Sequence, residues 1–253
     1  MHLHLLFNEL KLQYYEMRQY WFETVSGLIL ILLMFVGLFY GIKGFVVEQG
    51  DNQSLDGLVF GFIMWSFASA AYGSVTKTLI EDNQKGYLEQ LFLCPQGFVS
   101  LVLHRSLADN LTSVFMVTII AYIAMAATNN WLDINFPIMY GILLLAAPSL
   151  VGFGLIMCGL ALVFKRVETI GAFLTLGLMG LVALDGLPFN LFSLLPFVPG
   201  VSLAREVVLE QSPFIWSHLV IVLANSAIYL GLGIVTFTFF ERKAKKLNLI
   251  GQY

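Results

Sequence analysis

The densest set of interacting side chains lies in residues 77–97, TKTLIEDNQKGYLEQLFLCPQG without its first residue. Glu81, Lys85 and Glu89 recur every four residues. On a helix they form a ladder of alternating charge that supports it by about 0.2–0.5 kcal/mol per pair. Tyr87, Leu88, Leu91 and Phe92 follow 3,4 spacing and make an apolar face on the same helix. Pro95 and Gly97 end it. The chemistry this pattern serves is recognition: an apolar face edged by charges docks on another protein, or rests on a membrane surface. The residues by themselves leave both readings open.

Signals for bond-making chemistry are weaker. Cys94 and Cys158 show neither a disulfide framework nor zinc spacing, and read as free thiols. The stretch AYGSVTKT at 71–78 has Ala71 and Thr76 where a phosphate-binding loop requires glycine. The sequence contains no HExxH, GxSxG or Cys/His cluster. Asp109 and His218 fall near the ends of apolar stretches and read as interfacial residues. No Asp, Glu, Lys or Arg occupies the middle of such a stretch, where ion-coupled carriers place the groups that bind the coupling ion. Asn225 and Ser226 read as interhelical hydrogen-bond partners.

The elements that carry these residues are set by the surroundings the chain must tolerate. Of 253 residues, 58% are hydrophobic and 11% charged, whereas soluble domains carry about 25% charged residues. The fold class is therefore an all-α polytopic membrane protein forming one transmembrane domain over residues 1–253. Residues 1–24 mix aromatics with Glu9, Lys11, Glu16, Arg18 and Glu23, and predict an interfacial helix. Six spans follow at about 25–42, 57–76, 100–127, 138–164, 167–184 and 214–240. Pro148 should kink the fourth. Residues 185–213, with Pro188, Pro196, Pro199 and Gly200, are too broken to cross and predict a re-entrant or interfacial hairpin. Gly37/Gly41 and Gly57/Gly61 have the GxxxG spacing that lets helices approach closely.

Six spans place both termini, the 77–97 segment and the Lys165–Arg166 turn on one side. That side then holds all but Lys43 and Arg205 of the 13 Lys and Arg residues. The opposite side keeps those two against Glu48, Asp51, Asp56, Asp133, Asp185, Glu206 and Glu210. By the positive-inside rule the basic side is cytoplasmic. A protein built this way, with no energy source of its own, can be driven through its cytoplasmic segment.

The segment KGYLEQLFLCPQ resembles the signature of the ABC type-2 permease family, with Gly86, Leu88, Glu89, Gln90, Leu91 and Pro95 matching and Tyr87 standing in place of the usual Thr. The N-terminal KLQYYEMRQYWFETVSGLI is similar to the family's amphipathic lead-in, with Trp21 where Pro is frequent. The layout of spans extends the resemblance over almost the whole chain. The resemblance implies a permease subunit of an ATP-driven exporter in a prokaryotic cytoplasmic membrane, paired with a second permease copy or a paralogue. It implies separate ATPase subunits that hold ATP and Mg, with no cofactor, metal or catalytic site in this chain, and no nucleic-acid partner. Lys85, Gly86, Tyr87, Leu88, Glu89, Gln90, Leu91, Phe92 and Pro95 would form the coupling helix. Gly37 and Gly41 would face the second copy, and Pro188, Pro196, Pro199 and Gly200 would belong to an outer gate. The expected cargo is an amphipathic drug- or lipid-like molecule, with a cell-envelope polysaccharide or teichoic-acid-like glycan as the alternative. An ion-coupled carrier and a non-transport membrane scaffold are the readings from other classes.

Overall fold

The computed structural model describes residues 2–46, 52–84, 97–164 and 168–246. These are helical, with no strand among the described residues. The helices are α1 (His2–Gln19), α2 (Trp21–Val46), α3 (Asn52–Gln84), α4 (Phe98–Thr128), α5 (Phe136–Phe164), α6 (Glu168–Ala183), α7 (Val198–Ala204) and α8 (Trp216–Lys246). Five of them, α2 to α5 and α8, are long and apolar enough to cross a bilayer. A lipid core leaves no water to satisfy backbone groups, so an uncharged run of this length closes its hydrogen bonds within a helix. The chain is a polytopic helical membrane protein.

Several boundaries differ from the sequence expectation. The interfacial helix ends at Gln19 rather than at 24, and the first span begins at Trp21. Backbone bonding continues across the break: the Tyr20 amide reaches the Glu16 carbonyl at 2.8 Å and the Thr24 amide reaches the Tyr20 carbonyl at 3.0 Å. The second span does not end at Thr76 but continues as helix to Gln84. The last helix starts at Trp216 and runs to Lys246, six residues beyond the expected 240. The predicted span 167–184 is a 16-residue helix, shorter than the roughly 20 residues that a perpendicular crossing takes.

The bundle has two distinguishable ends. Val75, Phe98, Val102, Leu155, Leu162, Phe237 and Ala244 form one buried cluster, in which the Phe98 and Phe237 rings stack 5.2 Å apart. The end of the apolar part of α3, the start of α4 and the ends of α5 and α8 thus lie together. At the other end Asn130 Nδ2 donates to Asp56 Oδ1 at 2.8 Å, and Tyr40 Oη to the Ala127 carbonyl at 3.0 Å. Among the described residues, Arg105 near the start of α4 and Arg242, Lys243, Lys245 and Lys246 at the end of α8 lie toward the first of these ends. Burial is uneven. In their most apolar windows α3 and α5 are 56% and 61% buried, but α2 only 11%, so α2 is peripheral.

The closest helix contact is between α5 and α8. A Cβ built on Gly152 would lie 2.2 Å from the Tyr229 carbonyl oxygen, and one on Gly233 would lie 2.3 Å from the Gly152 oxygen. Nearby, Pro148 stands inside α5, which runs through it as one helix. In that turn Ser149 Oγ donates to the Ala146 carbonyl at 2.7 Å and Ser226 Oγ to the Leu145 carbonyl at 2.8 Å. Hydroxyls here supply donors where proline loosens the backbone ladder.

The segment between α6 and α8 is built, not loose. It contains a 3-10 turn (Leu191–Leu194), α7 and a π turn (Arg205–Leu209). All seven residues of α7 are buried, and Phe197 stacks on Phe67 of α3. Asn190 caps the 3-10 turn, accepting from the Phe192 amide at 2.8 Å and the Ser193 amide at 3.2 Å. Ser202 Oγ accepts from the Gly186 amide at 2.8 Å. Asn225 Nδ2 donates to the carbonyls of Ser193 and Leu195, each at 3.0 Å, which fits the interhelical role read from the sequence. Asn225→Ala removes both bonds. At about 0.6–1.7 kcal/mol for a side-chain hydrogen bond in a membrane bundle, the loss should reach about 1–2 kcal/mol. It should appear as a lower thermal midpoint and faster amide exchange over residues 193–200, with exchange in α3 unchanged.

Candidate functional site

The residues expected to couple the protein to an ATPase, Lys85, Gly86, Tyr87, Leu88, Glu89, Gln90, Leu91, Phe92 and Pro95, lie outside the described residues, as does Cys94. Both ends of the segment are described. The apolar part of α3 closes at Thr76, and the helix then rises for eight more residues to Gln84, about 12 Å at 1.5 Å per residue. At the far end Gly97 has φ +80, a conformation that side-chain-bearing residues rarely adopt, and the chain enters α4 from it. The segment is therefore hung from two helices that pack on each other.

Beside residues 105–116 of α4 lies an open cavity of about 410 Å³, lined by α1, α3 and α4. From α1 come Glu9, Gln13, Glu16 and Met17; from α4 come Arg105, Asp109, Thr112, Ser113 and Met116; from α3 come Ser69, Gly73 and Ser74. Gln13 is the hinge pin. Its Nε2 donates to Asp109 Oδ1, and its Oε1 accepts from Thr112 Oγ1 at 2.5 Å. Ser74 Oγ and Ser106 Oγ are 2.9 Å apart and join α3 to α4. Ser69 Oγ is buried with no hydrogen-bond partner among the described residues, leaving a spare donor and acceptor at the wall. Asp109, read from the sequence as interfacial, is a bridging residue that seats the N-terminal helix.

The α1 helix is amphipathic in an inverted sense. Glu9 and Gln13 are turned into the cavity, while Phe7, Tyr14 and Tyr15 are 66%, 62% and 53% exposed. An aromatic face turned away from the protein suits the bilayer boundary, where aromatic rings are favoured. The cavity thus joins an apolar margin, with Leu12, Met17 and Met116, to charged and hydrogen-bonding groups. Such a site recognises an amphipathic molecule by charge and hydrogen bonding. Sequence spacing misses it, because its three walls are about 60 and 30 residues apart along the chain. The visible trace is the polar set Glu9, Gln13 and Glu16, spaced three and four apart on the N-terminal helix. Gln13→Ala should free α1 from α4. Amide exchange over residues 4–19 should then accelerate by about tenfold, the weight of roughly one net hydrogen bond, while α4 keeps its protection.

The remaining expected residues are dispersed. Gly37 and Gly41 lie on α2, where an added Cβ would meet nothing within 4 Å, so within this chain they close no helix contact; the same is true of Gly57 and Gly61. Pro188 is exposed, whereas Pro196, Pro199 and Gly200 are buried. Gly200 sits so near α5 that its Cβ would fall 2.3 Å from the Ala146 Cβ. The expected outer gate is thus a packed plug against α5 and α8. Cys158 is buried and its Sγ lies 3.5 Å from the Val75 carbonyl, as a packed thiol would. His218 Nδ1 is 2.8 Å from Glu206 Oε2, which ties the start of α8 to the π turn. Comparison of the chain with protein-family models and with curated proteins gives no match.

Proposed function

We propose that this chain is the permease subunit of an ATP-driven exporter of the ABC type-2 kind. It would work as a pair with a second permease, in a prokaryotic cytoplasmic membrane, with α6 tilted or short as a sixth span and both termini in the cytoplasm. Separate ATPase subunits would bind ATP and Mg. The observation that carries the reading is the KGYLEQLFLCPQ segment joining α3 to α4, at the end of a helix that extends eight residues beyond its apolar span. That placement supports a lever: a rigid arm holds the segment clear of the bilayer, where a soluble ATPase can reach it. The packing of α3 against both α4 and α5 supports a path for the push into the bundle.

The polar cavity beneath α1 lies at the same end and supports an amphipathic cargo taken from the inner leaflet or cytoplasm. The buried plug at the opposite end supports an exit that opens only when α7 leaves α5. The test is reconstitution of the chain with its cognate ATPase in proteoliposomes. ATP-dependent outward flux of an amphipathic dye is the expected result. Flux under an ion gradient with no ATPase present would replace this reading with an ion-coupled carrier. An ATPase that co-purifies but drives no flux of dye or glycan would replace it with a scaffold.

A further inference from the structure

Only two lysine or arginine residues fall on the acidic side of the charge map, Lys43 and Arg205. Arg205 lines a groove whose wall residue Phe39 has Lys43 near its ring. Between α2, α3 and α6 lies an apolar groove of about 280 Å³. Phe35 and Phe39 of α2, Phe62 and Trp65 of α3 and Met179 of α6 form its walls. Phe35 and Phe62 stack 4.0 Å apart, and Trp65 Nε1 donates to the Thr175 carbonyl at 3.3 Å, so the wall residues are held in place. Arg205, from the π turn, lines the same groove. Lys43 Nζ lies 5.9 Å from the Phe39 ring centre and 5.6 Å from that of Tyr40, at the α2 edge.

Among the described residues no carboxylate is paired with Lys43 or Arg205, although the acidic side supplies several. Arg205 donates one hydrogen bond, from a terminal guanidinium nitrogen to the Val182 carbonyl at 2.8 Å. A guanidinium has five N–H donors, so most of its capacity has no partner among the described residues. A partly buried cation beside aromatic walls is costly without a counter-charge. The apolar length of the groove and the cations at its edge together match one kind of molecule.

We propose that this groove binds an anionic phospholipid, with an acyl chain between α2, α3 and α6 and the phosphate held by Arg205 with Lys43 beside it. The guanidinium fork fits a phosphate in a bidentate manner, and the ammonium adds a point charge. The occupant is a lipid molecule and not a second copy of the chain, because Arg205 lines the groove with no carboxylate paired to it among the described residues, and the α2 surface around the groove carries apolar side chains. This proposal does not rest on the exporter reading, since lipid occupancy is a property of this chain alone.

The test uses the full chain purified in detergent, given phosphatidylglycerol, phosphatidylcholine or soluble glycerol phosphate, and read by native mass spectrometry and thermal shift. Phosphatidylglycerol should be retained and should raise the thermal midpoint, with at least about tenfold tighter binding than phosphatidylcholine. Arg205→Gln and Lys43→Gln together should remove that preference. Gly61→Leu is the second arm. An added Cβ there meets nothing within 4 Å, and the residue lines the groove. The variant should fold, keep both cations and still lose lipid by about tenfold. Equal retention of the two lipids overturns the proposal, as does full competition by glycerol phosphate, which would mean an anion site without a chain. Lipid binding unchanged in Gly61→Leu overturns it too, and a dimer broken by that variant with lipid retained would assign the groove to a second copy.

Discussion

Gly152→Leu is expected to yield little or no monodisperse protein. The obstacle is backbone: the first added carbon would lie 2.2 Å from the Tyr229 oxygen, 2.4 Å from its carbonyl carbon and 2.6 Å from the Leu230 nitrogen. A side chain that meets a flexible neighbour costs about 1–3 kcal/mol, because the neighbour moves. Here α8 itself must move, and it is fixed elsewhere by Ser226 on the Leu145 carbonyl and by Asn225 on the 3-10 turn. Separating α5 from α8 by even an ångström forfeits dispersion contacts along the whole seam. The loss should exceed about 4 kcal/mol, against a total stability of about 5–15 kcal/mol for an ordinary domain. Gly233→Leu should behave alike, since its Cβ would meet the Gly152 oxygen at 2.3 Å. Size-exclusion profile and thermal midpoint in detergent are the readouts. Gly37→Leu and Gly41→Leu are the controls, expected to keep the monomer fold, since nothing lies within 4 Å of a Cβ at either position. A Gly152→Leu protein that melts with the wild type would refute the close approach of α5 and α8.

Glu89→Arg and Leu88→Asp should each reduce ATP-driven flux by at least about tenfold in the reconstituted complex, leaving the thermal midpoint of the isolated chain near that of the wild type. The reasoning follows from the segment's pattern. Leu88 lies on the apolar face with Leu91, and Glu89 ends the Glu81, Lys85, Glu89 ladder. A charge placed at the centre of a docking face, or reversed at its edge, removes an anchor whose loss typically costs about 2 kcal/mol or more, beyond a tenfold change in affinity. Two readouts separate the outcomes. Loss of ATPase co-purification would mean that docking itself depends on these residues. Retained docking, with hydrolysis continuing while flux stops, would mean that the segment transmits force. Normal assembly and normal flux in both variants would remove the coupling role.

The two predictions differ in where they were visible. The proposed coupling segment is a local pattern: a 3,4 apolar spacing and a four-residue charge ladder are written within a dozen residues. The glycine seam is not. Gly37/Gly41 and Gly57/Gly61 carry the familiar spacing, yet a Cβ added there would meet no described atom within 4 Å, whereas Gly152 and Gly233, 81 positions apart, meet backbone to backbone. The same contrast holds for polar groups. Asn225 and Ser226 read as interhelical partners, because an amide or hydroxyl in an apolar helix must find one; Ser226 meets α5, whereas Asn225 meets the turn before α7. Their partners, the carbonyls of Ser193, Leu195 and Leu145, were beyond inference. Asp109 was placed near a membrane boundary, but its bond to Gln13 of α1 came only with the packing.

The amino-acid sequence by itself determined an all-helical membrane protein and the approximate limits of its long apolar helices. These follow from helix length and charge against a slab of lipid, a comparison each segment makes alone. Tertiary structure decided which glycines admit a neighbouring backbone, that Val198–Ala204 within residues 185–213 is a buried helix, that Glu9, Gln13, Arg105 and Asp109 share a cavity, and that Arg205 lines the groove beside Phe39. The physical reason is that lipid is as apolar as a neighbouring helix. A membrane helix is therefore hydrophobic around most of its circumference, and no periodic stripe in the sequence records which face turns inward.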